Sequence, residues 1–454
     1  MARLFGSSGV RGLINVDITP TLACKVGSAV ATHSKAKKAL VARDTRVSGS
    51  LLEDALVSGL LACGVQVSLV GATPTPVLAY LTKASGADVG FMLTASHNPP
   101  QYNGIKIFHG NSLSYTDESQ NAVEKIISEN SSALTDWHEI SEASQADLTQ
   151  LYVEMVKKAV ALRKQWRVVV DPGCGATFDV GPTVLKAVGC KVTALNAQPD
   201  GFFPARRSEP TAESLGDLAG VVKELNADVG VAFDGDGDRV AFVDEEGCFV
   251  DFDRSLAAFA AYSLKREGGG TVVVNVEASM CVEKMVEEVG GKVVRTKVGD
   301  VYVSEAIKRN NAVFGGEPCG AWVHPRFHYC PDGPLSAVLL LKALEEEGKG
   351  LREFVAEVPE YVTLRANITC TNGSKYKVVE SLEETAKAAF PEYTGFSSVD
   401  GVRLALEEGW LLVRASGTEP IVRLTVEGES LKAAEDIMGK GTGLVKEQIE
   451  ECCK

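Results

Sequence analysis

ADVGFMLTASHNPPQYNGIKIF, residues 87–108, is the stretch from which the rest of the chain can be read. An apolar run, ADVGFML, ends in the polar turn TASHNPP at residues 94–100, and a second apolar run, GIKIF, leaves it. Short apolar runs bounded by turn residues are strand signals, and His97, Asn98 and two prolines keep the connection irregular. Ser96 is therefore expected on a loop outside any ladder, where its hydroxyl can act as a nucleophile or carry a phosphate. Alone, a serine in a turn needs no function, because turn chemistry favours serine.

Upstream, the same unit reads KKALVA as a strand, residues 51–63 as an amphipathic helix, VQVSLV as a strand and then another helix before ADVGFML. The pattern recurs twice. RVVVD, a helix near residues 178–188, CKVTALN, a helix over 212–225 and VGVAF lead to Asp234. TVVVNV, a helix near 280–289, KVVRTKV, a helix over 301–309 and AVFGG lead to Glu317. Each unit reads β-α-β-α-β-loop, which predicts an α/β fold of three related mixed-sheet domains. Loops at strand C-termini are where such sheets bind ligands, so the three units can aim their loops at one central cleft. From about Tyr361 the pattern changes to strand, helix over 376–390, a hairpin around EEGW, a further strand and a terminal helix over 431–452. That is a C-terminal α+β domain on an antiparallel sheet. The expected boundaries are 1–152, 153–250, 251–360 and 361–454.

The loops that close these units are chemically unusual. DGDGDR, residues 234–239, puts three carboxylates at alternate positions with glycines between them, so their oxygens can converge on one hard divalent cation. An EF-hand also begins D-x-D-x-D, and Glu245 falls at its twelfth position. Arg239, however, stands where that loop needs glycine, and both flanks read as strands. GGEPCG, residues 315–320, surrounds Glu317 with glycines that could admit a small ligand to the backbone, although alone it reads more simply as a glycine-rich turn. RASGTEP, residues 414–420, combines a guanidinium, two hydroxyls and a glycine between two strands; by itself this fits an anion cradle and a plain turn equally well.

Together, and in this order, the four loops resemble those of the α-D-phosphohexomutase family, whose members move phosphate between O1 and O6 of a hexose. LFGSSGVRG at 4–12, ARDTRVSGS at 42–50 and TPTP at 73–76 also look like family segments, so the resemblance covers essentially the whole chain. It implies three related α/β domains and a smaller fourth around a cleft. It implies that Ser96 is carried as phosphoserine, gives its phosphoryl group to the substrate to form a 1,6-bisphosphate, and takes the other phosphate back. Asp234, Asp236 and Asp238, with Ser96, would hold Mg²⁺; Arg239 would pair with the same phosphate, and Arg11 would lie near it. Lys106, in NGIKIF, matches a lysine of proton transfer near the hydroxyl; turned to solvent on an alternating strand is the lesser reading. His97 adjoins Ser96, but neighbouring strand-like side chains point opposite ways; the resemblance makes it a loop-shaping or phosphate-contacting residue rather than a dyad partner. Glu317 would take sugar hydroxyls, with Lys297 and Asp300 of KVGD close by. Arg414, Ser416, Gly417 and Thr418, with Arg423 near them, would hold the distal phosphate. Cys319 departs from the pattern, since many relatives have serine there and a thiol is a poor hydrogen-bond partner.

Composition bounds the partners. The chain has 454 residues, 45% hydrophobic and 23% charged, with a net charge of −14, which argues against a nucleic-acid partner. A hexose phosphate would have to be met by local cations, for which Arg11, Arg43, Arg46, Lys106, Arg239, Lys297, Arg414 and Arg423 are the candidates. Eleven cysteines without a CxxC pair make disulfides and zinc unexpected. No charged-then-apolar leader and no membrane-length apolar run are evident, so the expectation is a cytoplasmic enzyme without a membrane partner; a homodimer is left open. LFGSSGVRG, and TASHNPP with ARDTR, look closest to the phosphoglucosamine-mutase subgroup and its archaeal relatives. Phosphomannomutase or phosphoglucomutase activity shares all four loops and is the alternative. A silent binding protein would have lost a chemical residue, and a phosphatase would need its acids near the first strand.

Overall fold

The computed structural model describes residues 4–6, 9–417 and 419–452. The repeated pattern becomes a repeated sheet. In the first unit, Gln66–Ala72, Lys38–Arg43 and Val89–Leu93 lie side by side in parallel, and Tyr102–His109 closes against the last of them antiparallel. In the second, Lys191–Ala194, Arg167–Asp171 and Val229–Phe233 take the same places, with Val240–Val243 antiparallel beyond. In the third, the order is Lys292–Thr296, Thr271–Asn275, Phe314–Glu317 and antiparallel Ala321–Val323. The third strand of each unit thus lies between neighbours on both sides. It is buried throughout, which is why it reads as an unbroken apolar run rather than an alternating one.

A glycine marks the same register in all three units. Gly90 pairs with Leu40, Gly230 with Val169 and Gly315 with Val273. A Cβ on Gly90 would stand 2.2 Å from Thr82 Oγ1, and on Gly230 2.8 Å from Val222 Cγ2. The missing side chain lets a helix lie close on the strand that carries the loop.

One apolar core runs through all three units, from Leu40 and Phe108 through Tyr152, Val168 and Val231 to Val274, Phe314, Trp322 and Leu340. The C-terminal sheet is entirely antiparallel, in the order Val362–Thr369, Ile421–Gly428, Gly409–Ala415, Val402–Leu406, Gly395–Ser397. Helices Lys375–Ala389 and Leu431–Cys452 pack on it around a separate core that includes Leu382, Leu411, Val413, Val422 and Leu424. One expected helix is shorter than its periodicity suggests. Residues 212–225 divide into a 3₁₀ turn, Ala212–Ser214, opened by a capping box between Thr211 and Ser214, and the separate helix Gly216–Glu224. Among the described residues no helix is long and apolar enough to cross a membrane.

Candidate active site

The Ser96 loop is built around a buried arginine. Arg46, 1% exposed, donates through its guanidinium to the carbonyls of Ser96 at 2.8 Å, Asn98 at 2.7 Å, Pro99 at 2.6 Å and Tyr102 at 3.0 Å. Its Nε donates to Asp44 Oδ2 at 3.0 Å. Thr94 Oγ1 donates to the same oxygen at 2.7 Å and accepts from Ser96 N at 2.8 Å. From the second unit, Ser208 Oγ donates to His97 O at 2.7 Å. Arg46 therefore supplies no charge to a ligand, contrary to expectation. Arg43 likewise pairs with Glu53 at 2.9 Å. These contacts hold Ser96 at φ +50°, a left-handed conformation that costs a side-chain-bearing residue about 1–2 kcal/mol. The resulting kink turns Ser96 Oγ across the boundary between units, where it donates to Asp234 Oδ2 at 2.8 Å.

The kink also corrects the expectation for His97. Because Ser96 has left strand geometry, the two side chains do not diverge, and Ser96 Oγ lies 3.3 Å from His97 Nδ1. Burial, reinforced by Arg239 and Arg11, pulls the imidazole pKa down to about 2, so the ring is neutral. Among the described residues no carboxylate hydrogen-bonds it.

The acidic loop joins strands Val229–Phe233 and Val240–Val243, not two helices. Gly237, at φ +76°, lets the backbone fold back so that Gly237 N and Arg239 N donate to Asp234 Oδ1 at 2.9 and 3.2 Å. Asp234, Asp236 and Asp238 are all buried and offer ligand atoms within 4.8 Å of one another. Thr75, from the TPTP segment, donates to Asp236 Oδ2 at 2.5 Å. Lys106 is buried rather than solvated, and its Nζ donates to Asp236 Oδ2 at 2.8 Å and Asp238 Oδ2 at 2.5 Å. Burial alone would lower the lysine pKa; the two aspartates more than reverse this, and the ammonium stays charged. Burial likewise raises Asp234 well above the usual carboxylate range, with Asp238 and Asp236 adding to it. For Asp236 burial acts the same way, but Lys106 outweighs it and the carboxyl lies low. Asp236 Oδ1 and Asp238 Oδ1 are buried without any hydrogen-bond partner. Orphaned carboxylate oxygens beside a third carboxylate fit a hard divalent cation.

Cations surround this centre. Arg11 donates to Asn98 Oδ1 at 2.8 Å; burial lowers its pKa, with Asp236 and Asp238 opposing. Arg239 Nη1 pairs with Glu209 at 3.0 Å. Asp300, at the start of helix Asp300–Asn310, feels Lys106 and Asp238, and burial raises its pKa. Glu317 is fixed by Asn275 Nδ2 at 2.7 Å and Gly299 N at 2.8 Å, both donating to Oε1, which leaves Oε2 for a ligand. Burial pushes the Cys319 thiol up to about 12, with Arg239 opposing, so it stays protonated. Lys297 is exposed, its Nζ 5.6 Å from the Tyr302 ring centroid.

The last loop stands apart. Arg414 is held by Asp400 at 2.8 Å and by Glu277 of the third unit. Ser416 Oγ accepts from Glu419 N at 3.1 Å, and a Cβ on Gly417 would meet nothing within 4 Å among the described residues. Thr418 lies outside the described residues. Arg423 sits opposite Arg414 in the ladder and pairs with Glu419 at 2.8 Å.

Four models of one family match in sequence order. They are phosphoglucomutase/phosphomannomutase alpha/beta/alpha domains I, II and III over residues 2–134, 150–247 and 251–361, and the C-terminal domain over 366–440. The chain belongs to the phosphoglucomutase/phosphomannomutase family. It is a phosphohexomutase, an isomerase that transfers phosphate. It is 42% identical over 451 residues, 99% of both chains, to a Pyrococcus furiosus protein named "Probable phosphoglucosamine mutase". A Methanopyrus kandleri protein of the same name is 42% identical over 453 residues, again 99% of both. A solved phosphoglucomutase/phosphomannomutase family protein from Burkholderia thailandensis superposes with a TM-score of 0.88 at 28% identity, covering 99% of this chain and 98% of that one. Family members use a metal ion and act on hexose phosphates. Of the residues that organise this phosphohexomutase's site, sequence reasoning missed the structural role of Arg46. It also missed the roles of Asp44, Thr94 and Asn98, which lie inside the quoted segments, and it missed Ser208, Glu209 and Asn275, which lie in none of them and act through hydrogen bonds to other loops.

Proposed function

We propose that this phosphohexomutase interconverts glucosamine 6-phosphate and glucosamine 1-phosphate through phosphoserine 96 and a 1,6-bisphosphate. The observation that carries the mechanism is Ser96 Oγ at 2.8 Å from Asp234 Oδ2, at the edge of the buried aspartate cluster. The glucosamine assignment rests on the names of relatives more than 40% identical over the full chain. We assign one loop to each of four domains, 1–152, 153–250, 251–360 and 361–454.

Asp234, Asp236 and Asp238, with Ser96, would hold Mg²⁺. When bound, the ion neutralises charge on the transferring phosphoryl group, the main requirement of phosphoryl transfer. The chain's own residues do the rest. Arg46 fixes the loop so that Ser96 Oγ faces the cleft. The P–O bond to Oγ breaks as one to the free sugar hydroxyl forms, and Arg11 and Arg239 supply positive charge nearby. Lys106, kept charged by its two aspartates, gives a proton to the departing serine oxygen and takes up the proton that the attacking sugar hydroxyl loses, so the transfer leaves the lysine as it began. Glu317 Oε2 accepts from sugar hydroxyls, with Lys297 at the rim and Asp300 closer to Lys106. Arg414, Ser416, Gly417 and Thr418 grip the distal phosphate. Arg423 lines the same sheet face, and His97 shapes the loop. The bisphosphate then turns over in the cleft and returns its other phosphate to Ser96.

Assay of the glucosamine, mannose and glucose 6-phosphates tests the substrate. The expected result is the highest kcat/KM for glucosamine 6-phosphate. A tenfold preference for mannose or glucose phosphate would replace the glucosamine assignment and leave the phosphoserine mechanism in place.

A further inference from the structure

The guanidinium assigned to the distal phosphate is already bound by two carboxylates. Arg414 Nη2 pairs with Asp400 at 2.8 Å within its own sheet domain, and Nη1 donates to Glu277 of the third unit. The third nitrogen, Nε, is buried with no partner. The two acids are held differently. Asp400 adjoins Gly401, whose φ of +89° and missing side chain let that turn lie against Val413 O and Arg414 Cγ. Glu277 comes from the loop after strand Thr271–Asn275, where its N–H donates to Asn275 Oδ1 at 2.9 Å. The Asn275 side-chain amide in turn donates to Glu317 at 2.7 Å. The chain of contacts therefore runs from the sugar-loop carboxylate to the arginine of the phosphate loop.

Two carboxylates on one guanidinium carry a net negative charge where a phosphate is to bind. A phosphate oxygen on the second N–H of Nη1 would lie directly beside the Glu277 carboxylate on the first, and two anions that close repel strongly. Asp400 lies on the other nitrogen and can stay.

We propose that Glu277 is the resident anion of the distal-phosphate site. It holds Arg414, and with it the C-terminal domain, against the third unit while the site is free of phosphate, and it is displaced by the incoming phosphate group. Glu277 is then a positioning residue that lowers phosphate affinity, whereas Asp400 is one that raises it. The proposal rests on the reading of the Arg414 loop as the phosphate grip.

Opposite signs on one guanidinium make the test. Inorganic phosphate is titrated calorimetrically into full-length wild type, Glu277→Gln, Asp400→Asn and Arg414→Ala, and KM and kcat are measured separately with glucosamine 6-phosphate. Glu277→Gln should bind phosphate about tenfold more tightly and lower KM with little change in kcat, since it removes a competing charge while keeping the side chain's shape. Asp400→Asn should weaken phosphate binding several-fold. Unchanged or weaker binding in Glu277→Gln overturns the proposal, as does a shift of both variants in the same direction. If Arg414→Ala binds phosphate as the wild type does, the phosphate-grip reading fails and takes the proposal with it. If Arg414→Ala weakens binding and Glu277→Gln does not strengthen it, only the role of Glu277 is lost.

Discussion

The first three units and the last are joined to their neighbours in different ways. The α/β units share one continuous apolar core, so Ser96, the three aspartates and Glu317 sit on strand ends that cannot move independently. The C-terminal domain closes its own core and meets the rest through a small apolar seam, Trp410 and Leu412 against Val276, Met280 and Val298. A few polar contacts join it: Met280 N to Glu427 at 2.8 Å, Val298 N to Asp400 at 3.0 Å, and the Glu277–Arg414 pair. Burying two large side chains contributes about 1.5–3 kcal/mol each, an amount that ligand binding can offset. The difference teaches a division of labour. On the proposed mechanism, the groups that must be placed finely for phosphoryl transfer are on the fused body, and the group that grips is on a domain with a core of its own. Damage to the body should therefore appear in kcat, and damage to the docked domain in KM.

The sharpest break of that pattern is at Ser96. Ser96→Ala should lower kcat at least about 10⁴-fold by removing the phosphate carrier, while the melting temperature moves by a few degrees at most. Turnover within tenfold of wild type would remove the serine from the mechanism. Metal stripping comes next. Chelation should cut turnover about 10³-fold, and Mg²⁺ should restore it, leaving phosphate binding at Arg414 intact. Full activity in verified metal-free enzyme would make the aspartate loop structural.

Two arginines then test the comparison directly. Arg46→Met leaves Asp44 buried and unpaired and frees the Ser96 loop, so stability should fall by about 3–5 kcal/mol in denaturant titrations, with kcat lowered. Arg414→Ala should cost little stability and raise KM about 10–100-fold, the value of a lost charge-assisted contact. Equal effects of both changes on stability would mean that the two regions are not held so differently.

The repeat, the loops and the antiparallel tail were legible because each rests on local signals, an apolar run followed by a turn of odd composition. TASHNPP and DGDGDR carry their chemistry in the motif itself. What was illegible is the relation between loops. Nothing local says that Arg46 is consumed by four carbonyls, that Ser96 adopts a left-handed φ bringing His97 to it, or that Glu277 reaches Arg414. The helices that join the units, such as Thr149–Ala159 and Phe252–Glu267, also escaped notice, although Asp251 caps the second by accepting from Arg254 N. Their role is to fuse neighbouring units, a property of pairs of segments and not of either alone.

The smallest effect concerns the seam itself. Asp253, in the first turn of helix Phe252–Glu267, lines a cavity of about 240 Å³ with Asp251, Cys281, Tyr361 and Glu427, where the third unit meets the docked domain. Burial raises its pKa to about 7; the Ser279 N–H, donating at 2.8 Å, opposes this, while Asp251 and Glu427 add to it. The folded chain thus keeps this proton up to about pH 7, whereas the unfolded chain releases it near 3.9. Between those values the native state binds more protons than the unfolded one, so stability falls as pH rises, and above pH 7 the loss is complete. Asp253→Asn keeps an acceptor for Ser279 N and removes the charge. It should match wild type near pH 4 and exceed it by on the order of 1–3 kcal/mol near pH 8. Denaturant unfolding of both proteins at the two pH values measures this. A variant no more stable than wild type at pH 8 would show that the seam tolerates the ionised carboxylate, and that its looseness comes from its small apolar area alone.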